Sequence, residues 1–414
     1  MKLKLSASPL LISATLLSLS GEWASAAPGS PEQGRSSVSA ERAAPPSPAG
    51  AGAERSAPQA AAPAAARAPW PMPTLLVEEA KRSADRGLHF LRYQQGESGA
   101  YGDHVGLTAM VLIAFAESHR AYRVEDGPFI SLAVRWLLTQ ARADGAITGE
   151  ATPTYNTALA IMALHALDAE QFRGPIEAGQ RFLVRFQSDE EQQYERTDRF
   201  YGGIGYGGDE RPDLSNLQYA LEALRRTDYD AESDVWEKAE VFISRCQNFS
   251  EGEEDRAARP WAGNDGGFVY APGQSPAGGT TSYGAMTFAG LKSLIFTRRA
   301  AADDPRVAAA WGWIQRHYDF NEHPGMGTTA YYYYLQTAAS ALEAYGERLI
   351  PAPDQRGEGK NWSSDLLTKL LNLQRQNGSW QNENRRYWEG NPLLTTARAV
   401  ITINHSLRAA GAQR

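Results

Sequence analysis

Two kinds of helical pattern alternate along residues 74–414. One kind is apolar on nearly every side, as in segments 107–115, 157–164 and 283–291. A helix with this pattern is buried all round, whereas a helix with charge on one face, such as segment 235–245, lies at the surface. The chain is therefore predicted to form inner, buried helices that alternate with outer, amphipathic ones.

A short phrase joins these helices and occurs most clearly near the two ends of the region. It consists of a glutamine, a glycine and an aromatic residue: Gln95, Gly99 and Tyr101 in one copy, Gln374, Gly378 and Trp380 in the other. Such long-range recurrence is typical of repeated helical units. Weaker copies predict six turns, at Gly99, Gly145, Gly203, Gly267, Gly327 and Gly378. The second helix of each pair is predicted to begin near Gly106, Tyr155, Asp213, Ser282, Ala330 and Leu394. About six such pairs close most naturally into an all-α (α/α)6 toroid.

This phrase resembles the QW motif of squalene–hopene and oxidosqualene cyclases, and related repeats build the β subunits of protein prenyltransferases. Segments 201–206, 265–270 and 377–380 are similar to the turn-and-aromatic signature of that superfamily. The resemblance covers most of the chain from about residue 75 onward. It implies a terpenoid cyclase-like α/α toroid and is much less specific for activity.

The N-terminal region has the pattern of an exported protein. A short basic start, a mostly apolar stretch over residues 10–19 and a small-residue site at 24–26 predict a cleaved signal peptide over residues 1–26. Residues 27–73 are rich in Ala, Pro and Ser and predict a disordered linker. The toroid is predicted over residues 74–414. We therefore expect a periplasmic or secreted protein with no transmembrane segment after cleavage.

The composition of the chain narrows the range of binding partners further. The chain carries 41 basic and 48 acidic residues, a net charge of −7, and has no basic patch of the kind that binds nucleic acid. Cys246 is the sole cysteine and is expected to be a buried structural thiol at the end of an outer helix. The sequence leaves open whether a protein partner binds to the toroid surface.

The resemblance also suggests a candidate acid. Class II terpene cyclases protonate their substrate with an Asp-x-Asp-Asp motif, whose middle aspartate is the proton donor. Residues 213–216 align with that motif, so Asp213 retains the first aspartate and Ser215 stands at the donor position. A serine hydroxyl cannot protonate an alkene. Asp213 is thus the candidate catalytic residue, although helix capping is the favoured interpretation of both side chains.

A metal or cofactor is not expected. Protein prenyltransferases hold zinc with Asp, Cys and His at the starts of inner helices. The corresponding segments here, 281–285 and 331–334, contain none of these three residue types.

Aromatic and polar residues in the loops before the inner helices are predicted to gather at one mouth of the toroid. The candidate substrate-binding residues are Asp103, His104, Tyr155, Asn156, Asn216, Tyr283, Tyr331, Trp388 and Glu389. Such a lining suits an isoprenoid-type ligand and a glycan equally well. Tyr101 and Trp380 are instead expected to pack the repeat turns.

Three functions remain open from the sequence. The first is a terpene cyclase-like enzyme, or a binding protein, for a polyprenyl or triterpenoid lipid in a hydrophobic, aromatic-lined central cavity. The second is a non-catalytic binding or scaffold toroid. The third is a polysaccharide lyase or glycosidase, for which Asp103, Asp213 and Glu389 are the candidate carboxylates.

Overall fold

The computed structural model of the chain describes residues 72–149, 151–207, 211–297, 304–351 and 359–412. The predicted signal peptide and residues 27–71 of the predicted linker lie outside these ranges. The first helix of the described part begins at Thr74, directly after Pro73.

Thirteen α-helices form most of the described structure, and twelve of them fall into two layers. The inner helices are α2 (Val105–Ala116), α4 (Pro153–Asp168), α6 (Leu214–Arg226), α9 (Gly284–Phe296), α11 (Tyr331–Tyr345) and α13 (Pro392–Ala409). The outer helices are α1 (Thr74–Arg92), α3 (Pro128–Thr139), α5 (Arg173–Arg185), α7 (Val235–Cys246), α10 (Pro305–Arg316) and α12 (Trp362–Leu373). Helix α8 (Glu253–Ala258) is a short helix in the loop between α7 and α9.

The remaining regular structure is small. Two strands, β1 (Leu349–Ile350) and β2 (Lys360–Asn361), pair antiparallel between α11 and α12. Single 3-10 turns occur at Val124–Asp126, Glu190–Gln192 and Arg386–Trp388.

The six inner helices close into a ring. Each packs against the next in the order α2, α4, α6, α9, α11 and α13, and α13 packs back against α2. Outer helices cover this ring, with α3 on α2, α5 on α4, α10 on α9 and α12 on α13. The chain therefore forms the predicted all-α (α/α)6 toroid, and each inner helix begins within two residues of its predicted start.

Glutamine side chains hold four of the repeat turns in the same way. Each donates hydrogen bonds through Nε2 to a carbonyl in its own turn and to a carbonyl of a neighbouring outer helix. For Gln95 these are Gly99 O at 2.8 Å and Phe129 O at 3.2 Å. The equivalent bonds are made by Gln187, Gln247 and Gln374. The repeated glutamine thus ties each turn to a neighbouring repeat.

Glycine is needed at these turns for two reasons. Gly202 has φ +82°, and a Cβ built on it would lie 1.8 Å from the carbonyl oxygen of Lys238 on an outer helix. Gly266 is similar, so the left-handed residue in these two turns precedes the predicted Gly203 and Gly267 by one position. The following glycine is required for a different reason, because a Cβ on Gly203 would lie 2.4 Å from Pro212.

Polar residues run along the inward faces of two inner helices. Ser215, Tyr219, Glu222 and Arg226 recur at helical spacing on α6 and make contacts across the ring. Helix α11 presents a matching row, Tyr333, Gln336, Ser340 and Glu343. The axis is therefore not the predicted hydrophobic cavity. The pattern of apolar positions missed this because polar side chains that satisfy one another can be buried inside a ring of apolar helices.

No helix in the described part of the chain combines the length and hydrophobicity needed to span a membrane.

Candidate functional site

The N-terminal ends of the inner helices carry partly exposed side chains around the toroid axis. Tyr155, Ser215 and Tyr333 come from three different inner helices, and each keeps part of its surface accessible to solvent. The Ser215 hydroxyl lies 2.9 Å from the Tyr333 hydroxyl. Because α6 and α11 are not neighbours in the ring, this bond crosses the axis. These three side chains line what we call the axial recess.

Behind Ser215, Asp213 begins helix α6 as its N-cap. Its carboxylate accepts hydrogen bonds from the Asn216 backbone N–H at 2.8 Å and from Asn216 Nδ2 at 2.7 Å. The predicted capping role of Asp213 is therefore confirmed. Ser215, in contrast, points its hydroxyl to Tyr333 and does not cap the helix.

Burial shifts the pKa of the Asp213 carboxyl group. Desolvation raises the pKa of Asp213 to about 6, although hydrogen bonds from Asn216 and Tyr270 lower it. Tyr206, Tyr270 and Tyr283 lie close enough for their charge states to interact with that of Asp213. The mouth thus holds a buried acid, titrating near neutral pH, inside a cluster of neutral tyrosines.

Arg398 of α13 lies one helical turn deeper on the axis. Its Nη1 donates to the Gln336 side-chain oxygen at 2.7 Å and to the Tyr219 hydroxyl at 3.3 Å. Its guanidinium lies 5.0 Å from the centroid of the Tyr333 ring. Helices α6 and α13 face each other across the ring. We call the cluster of Arg398, Gln336 and Tyr219 the floor of the axial recess.

A second cation lies beneath the same floor. Lys292 donates to Glu222 at 2.6 Å, and its ammonium is 5.9 Å from the centroid of the Tyr219 ring. Two of the tyrosine faces on the axis are therefore already beside resident cations.

The opposite end of the axis is filled by paired charges. Glu117, at the C-terminus of α2, pairs with Arg226 and with Arg408. Arg408 also pairs with Glu343 at 2.7 Å, and Glu343 is hydrogen-bonded to His405. Although burial raises the pKa of Glu343, His405 and Arg408 lower it to about 2. This end of the axis is closed by ion pairs.

Trp388 marks the outer rim of the recess. It is 38% exposed, and its ring meets that of His104 edge-on at 5.1 Å. Tyr387 and Trp388 both have positive φ, 56° and 66°, a strained conformation for aromatic residues. An open depression of about 410 Å³ lies beside them, lined by Gln381, Arg385, Trp388, Gly390 and Asn391.

Glu389, next to the exposed tryptophan, is buried and has a structural role. Its carboxylate accepts the backbone N–H groups of Tyr332 at 3.2 Å and Tyr333 at 2.8 Å, and Asn382 Nδ2 at 2.7 Å. A carboxylate from another loop thus caps the start of α11.

The other sequence-predicted site residues are divided between the rim and the packed interior. Asp103 is exposed at the rim and accepts a hydrogen bond from Ser98. His104 caps α2, and a Cβ on Gly106 would lie within 3.4 Å of His104, Tyr155 and Asn156, so these three side chains are close together. Tyr283 and Tyr331 are buried, and Tyr331 donates to the carbonyl of Phe320. Tyr101 and Trp380 are fully buried at their turns, as expected.

The thiol and the metal predictions can be compared with the described residues. Cys246 ends α7 and is completely buried, and desolvation raises the pKa of its thiol. Within the described ranges, no three His, Cys, Asp or Glu side chains are grouped as metal ligands.

Sequence reasoning missed the floor of the recess. Arg398, Tyr219 and Gln336 lie on helices that were interpreted by their apolar positions. The available signal was a polar residue every three or four positions on α6 and α11, which marks one face of a helix.

Comparisons with known proteins agree on the fold. No family model matches the chain, and no curated protein matches it. A variant of the type II terpene cyclase MstE from Scytonema, solved with its substrate geranylgeranyl dihydroxybenzoate, has 12% identity and a TM-score of 0.50. The match covers 81% of this chain and 99% of that one.

Two further solved structures are similar at lower scores. A protein from Actinoplanes has 16% identity and a TM-score of 0.43 over 80% of this chain and 99% of its own. A glycosidase variant in complex with glucose has 12% identity and a TM-score of 0.42 over 83% of this chain and 100% of its own. At 12% identity, the similarity to the MstE variant shows the fold alone. The chain has the terpenoid cyclase-like α/α toroid fold.

Proposed function

We propose that this protein is an exported toroid that binds a saccharide at the N-terminal mouth of its inner helices. The observation that carries the proposal is the axial recess itself. Tyr155, Ser215 and Tyr333 combine ring surface with hydroxyl groups, and they reach solvent inside a closed ring of helices. Sugar rings are bound by such a combination of stacking and hydrogen bonding.

The rim supports the same ligand class. Trp388 presents an exposed ring beside the polar side chains of Gln381, Arg385 and Asn391. A strained aromatic residue at an open depression is the arrangement expected of a ligand contact. A chain of two or three sugar units would extend from the recess across this rim.

The polar axis argues against guiding a carbocation with the same tyrosines. A carbocation is stabilised by aromatic faces, and a neighbouring positive charge opposes that stabilisation. Here the Arg398 guanidinium lies by the face of Tyr333, and the Lys292 ammonium lies by the face of Tyr219. A migrating positive charge would be repelled at both rings.

Binding is also better supported than glycoside hydrolysis. Hydrolysis needs two carboxyl groups that face the scissile bond. Asp213 and Glu389 both cap helices, and each already accepts hydrogen bonds from backbone N–H groups.

The test is a panel of neutral and acidic oligosaccharides, titrated calorimetrically into the purified chain. We expect at least one saccharide to bind, and Tyr333→Phe and Trp388→Ala each to weaken binding about tenfold or more. Tyr93→Phe is the matched control because Tyr93 is 73% exposed at the end of an outer helix. Absence of binding across the panel, or equal loss in the control, would contradict the proposal.

One observation favours a second function, acid catalysis on a polyprenyl lipid. Asp213 is a buried acid, and desolvation raises its pKa to about 6, so it keeps its proton at pH values below about 6. The chain would be incubated with squalene and with geranylgeranyl diphosphate, and extracts compared with those of Asp213→Asn by gas chromatography and mass spectrometry. A cyclised product that disappears in the variant would establish this function in place of the first.

A further inference from the structure

Arg398 differs from the other buried cations of the described chain. Lys292, Arg259 and Arg306 are also buried, and each has a carboxylate within 4.0 Å. Arg398 is 7% exposed and has no ion pair within the described ranges; its hydrogen-bond partners are tyrosine and glutamine side chains. A buried charge without a counterion is costly to fold, so such charges are normally paired.

One donor of this guanidinium, the Nε–H, is also without a partner among the described residues. Nη1 donates to Gln336 and Tyr219, whereas the buried Nε–H makes no hydrogen bond with any described residue. Arginine presents its donors as a planar fork that matches the two oxygens of a carboxylate. Arg398 therefore has both the charge and the spare donor that an anionic ligand group requires.

The guanidinium that carries this buried donor lies beside the axial recess. The guanidinium lies 5.0 Å from the ring centroid of Tyr333, which is partly exposed and whose hydroxyl is 2.9 Å from that of Ser215. Glu389 affects the charge state of Arg398 but is not paired with it, because its own oxygens are taken by Asn382 and the start of α11.

We infer that Arg398 binds a carboxylate of the ligand, so that the saccharide preferred by the recess is an acidic one, of the uronate class. This inference rests on the proposed function for the sugar ring, while the carboxylate itself is recognised by Arg398 and neutral hydrogen-bonding side chains. The bound carboxylate would supply the counterion that Arg398 lacks among the described residues.

The experiment compares a ligand that carries a carboxylate with its uncharged analogue. Trigalacturonate and its fully methyl-esterified form are titrated into the full chain, together with geranylgeranoic acid and geranylgeraniol as a lipid pair. We expect trigalacturonate to bind at least about tenfold more tightly than its ester. Arg398→Gln should abolish that preference, Arg398→Lys should retain part of it, and the exposed control Arg181→Gln should keep it whole.

A stability measurement separates ligand binding from a structural role. Because the unpaired charge is costly in the free protein, Arg398→Gln should unfold at the same temperature as the unliganded wild type or at a higher one. A structural arginine would instead lower the unfolding temperature when removed. If Arg398→Gln does not fold, the inference is tested by two other measurements. These are the binding of both ligands to Arg398→Lys and the ratio of the wild-type affinities for trigalacturonate and its ester.

The outcomes separate this inference from the proposed function. Neutral saccharides that bind as tightly as trigalacturonate would overturn the role of Arg398 and leave saccharide binding intact. A preference for geranylgeranoic acid over its alcohol, with no saccharide bound, would keep the role of Arg398 and overturn the saccharide. An acid preference unchanged in Arg398→Gln would overturn the inference for either ligand.

Discussion

Two carboxyl groups at opposite ends of the axis have pKa values that are shifted in opposite directions. At the mouth, Asp213 lies among tyrosines, and desolvation raises its pKa to about 6. At the closed end, Glu343 is paired with Arg408 and His405, which lower its pKa to about 2. The same helical ring thus has one end where charges stabilise the fold and one end where charge is held at a cost. We propose that ligand binding occurs in the second kind of environment, where the Arg398 Nε–H has no partner among the described residues.

The largest expected effect is at the paired charges. Lys292→Met removes the ammonium that lies 2.6 Å from Glu222 and leaves a carboxylate in the interior. We expect a loss of about 3 kcal/mol or more in the free energy of unfolding, measured by urea titration at pH 7. Lys81→Met is the control, since the outer pair of Lys81 with Glu78 is half-exposed and worth under about 1 kcal/mol. Equal losses in both variants would remove the distinction between the axis and the surface.

Low pH should weaken the ion pairs of Glu343 at the closed end of the axis. The pKa of Glu343 is about 2 in the folded chain, against 4.5 for an unperturbed glutamate, so the unfolded chain binds more protons between these pH values. This stabilisation is complete above about pH 4.5 and is lost as the pH falls toward 2, by about 3 kcal/mol in total. Urea titrations in steps from pH 5 to pH 2.5 check the slope, and Glu343→Gln should flatten it.

At the mouth, where Asp213 lies, stability should depend on pH in the opposite sense. The folded pKa of Asp213 is raised from 3.8 to about 6, so its contribution is most favourable below pH 3.8 and is lost as the pH rises through 6. Asparagine is an equally good N-cap and carries no charge. Relative to the wild type, Asp213→Asn should therefore gain up to about 2–3 kcal/mol of stability between pH 4 and pH 7. A stability difference that does not change with pH would show that the carboxyl group is not held at a cost.

The smallest stability change should come from the recess hydroxyls. Tyr333→Phe removes the bond to Ser215 at 2.9 Å and should cost about 1 kcal/mol, because the ring still packs on Arg398. Thermal unfolding measures this cost. A loss as large as that of Lys292→Met would mean that the recess hydroxyls, too, mainly hold the fold together.

The repeats were predictable from sequence because each turn depends on local chemistry. Gln95 with Gly99, and Gln374 with Gly378, are separated by four residues, and the observed hydrogen bonds follow that spacing. The inner helices were predictable because nearly every position on α2 and α4 is buried and apolar.

The floor of the site was not predictable in the same way. Arg398 meets Tyr219 across 179 positions of sequence, and that meeting depends on closure of the whole ring. The candidate list contained Tyr155, Asp213 and Trp388, which the structure places at the recess or its rim. It also contained Glu389, whose burial as a helix cap follows from where α11 begins. Spacing along the chain gives no measure of such contacts.

The most direct test of the account is a crystal structure of the chain soaked with trigalacturonate. We predict a sugar ring between Tyr155, Ser215 and Tyr333, with its carboxylate on Arg398 and the ion pairs of Glu343 and Arg408 unchanged. A sugar bound elsewhere, with the recess empty, would contradict the assignment of the N-terminal mouth as the binding end.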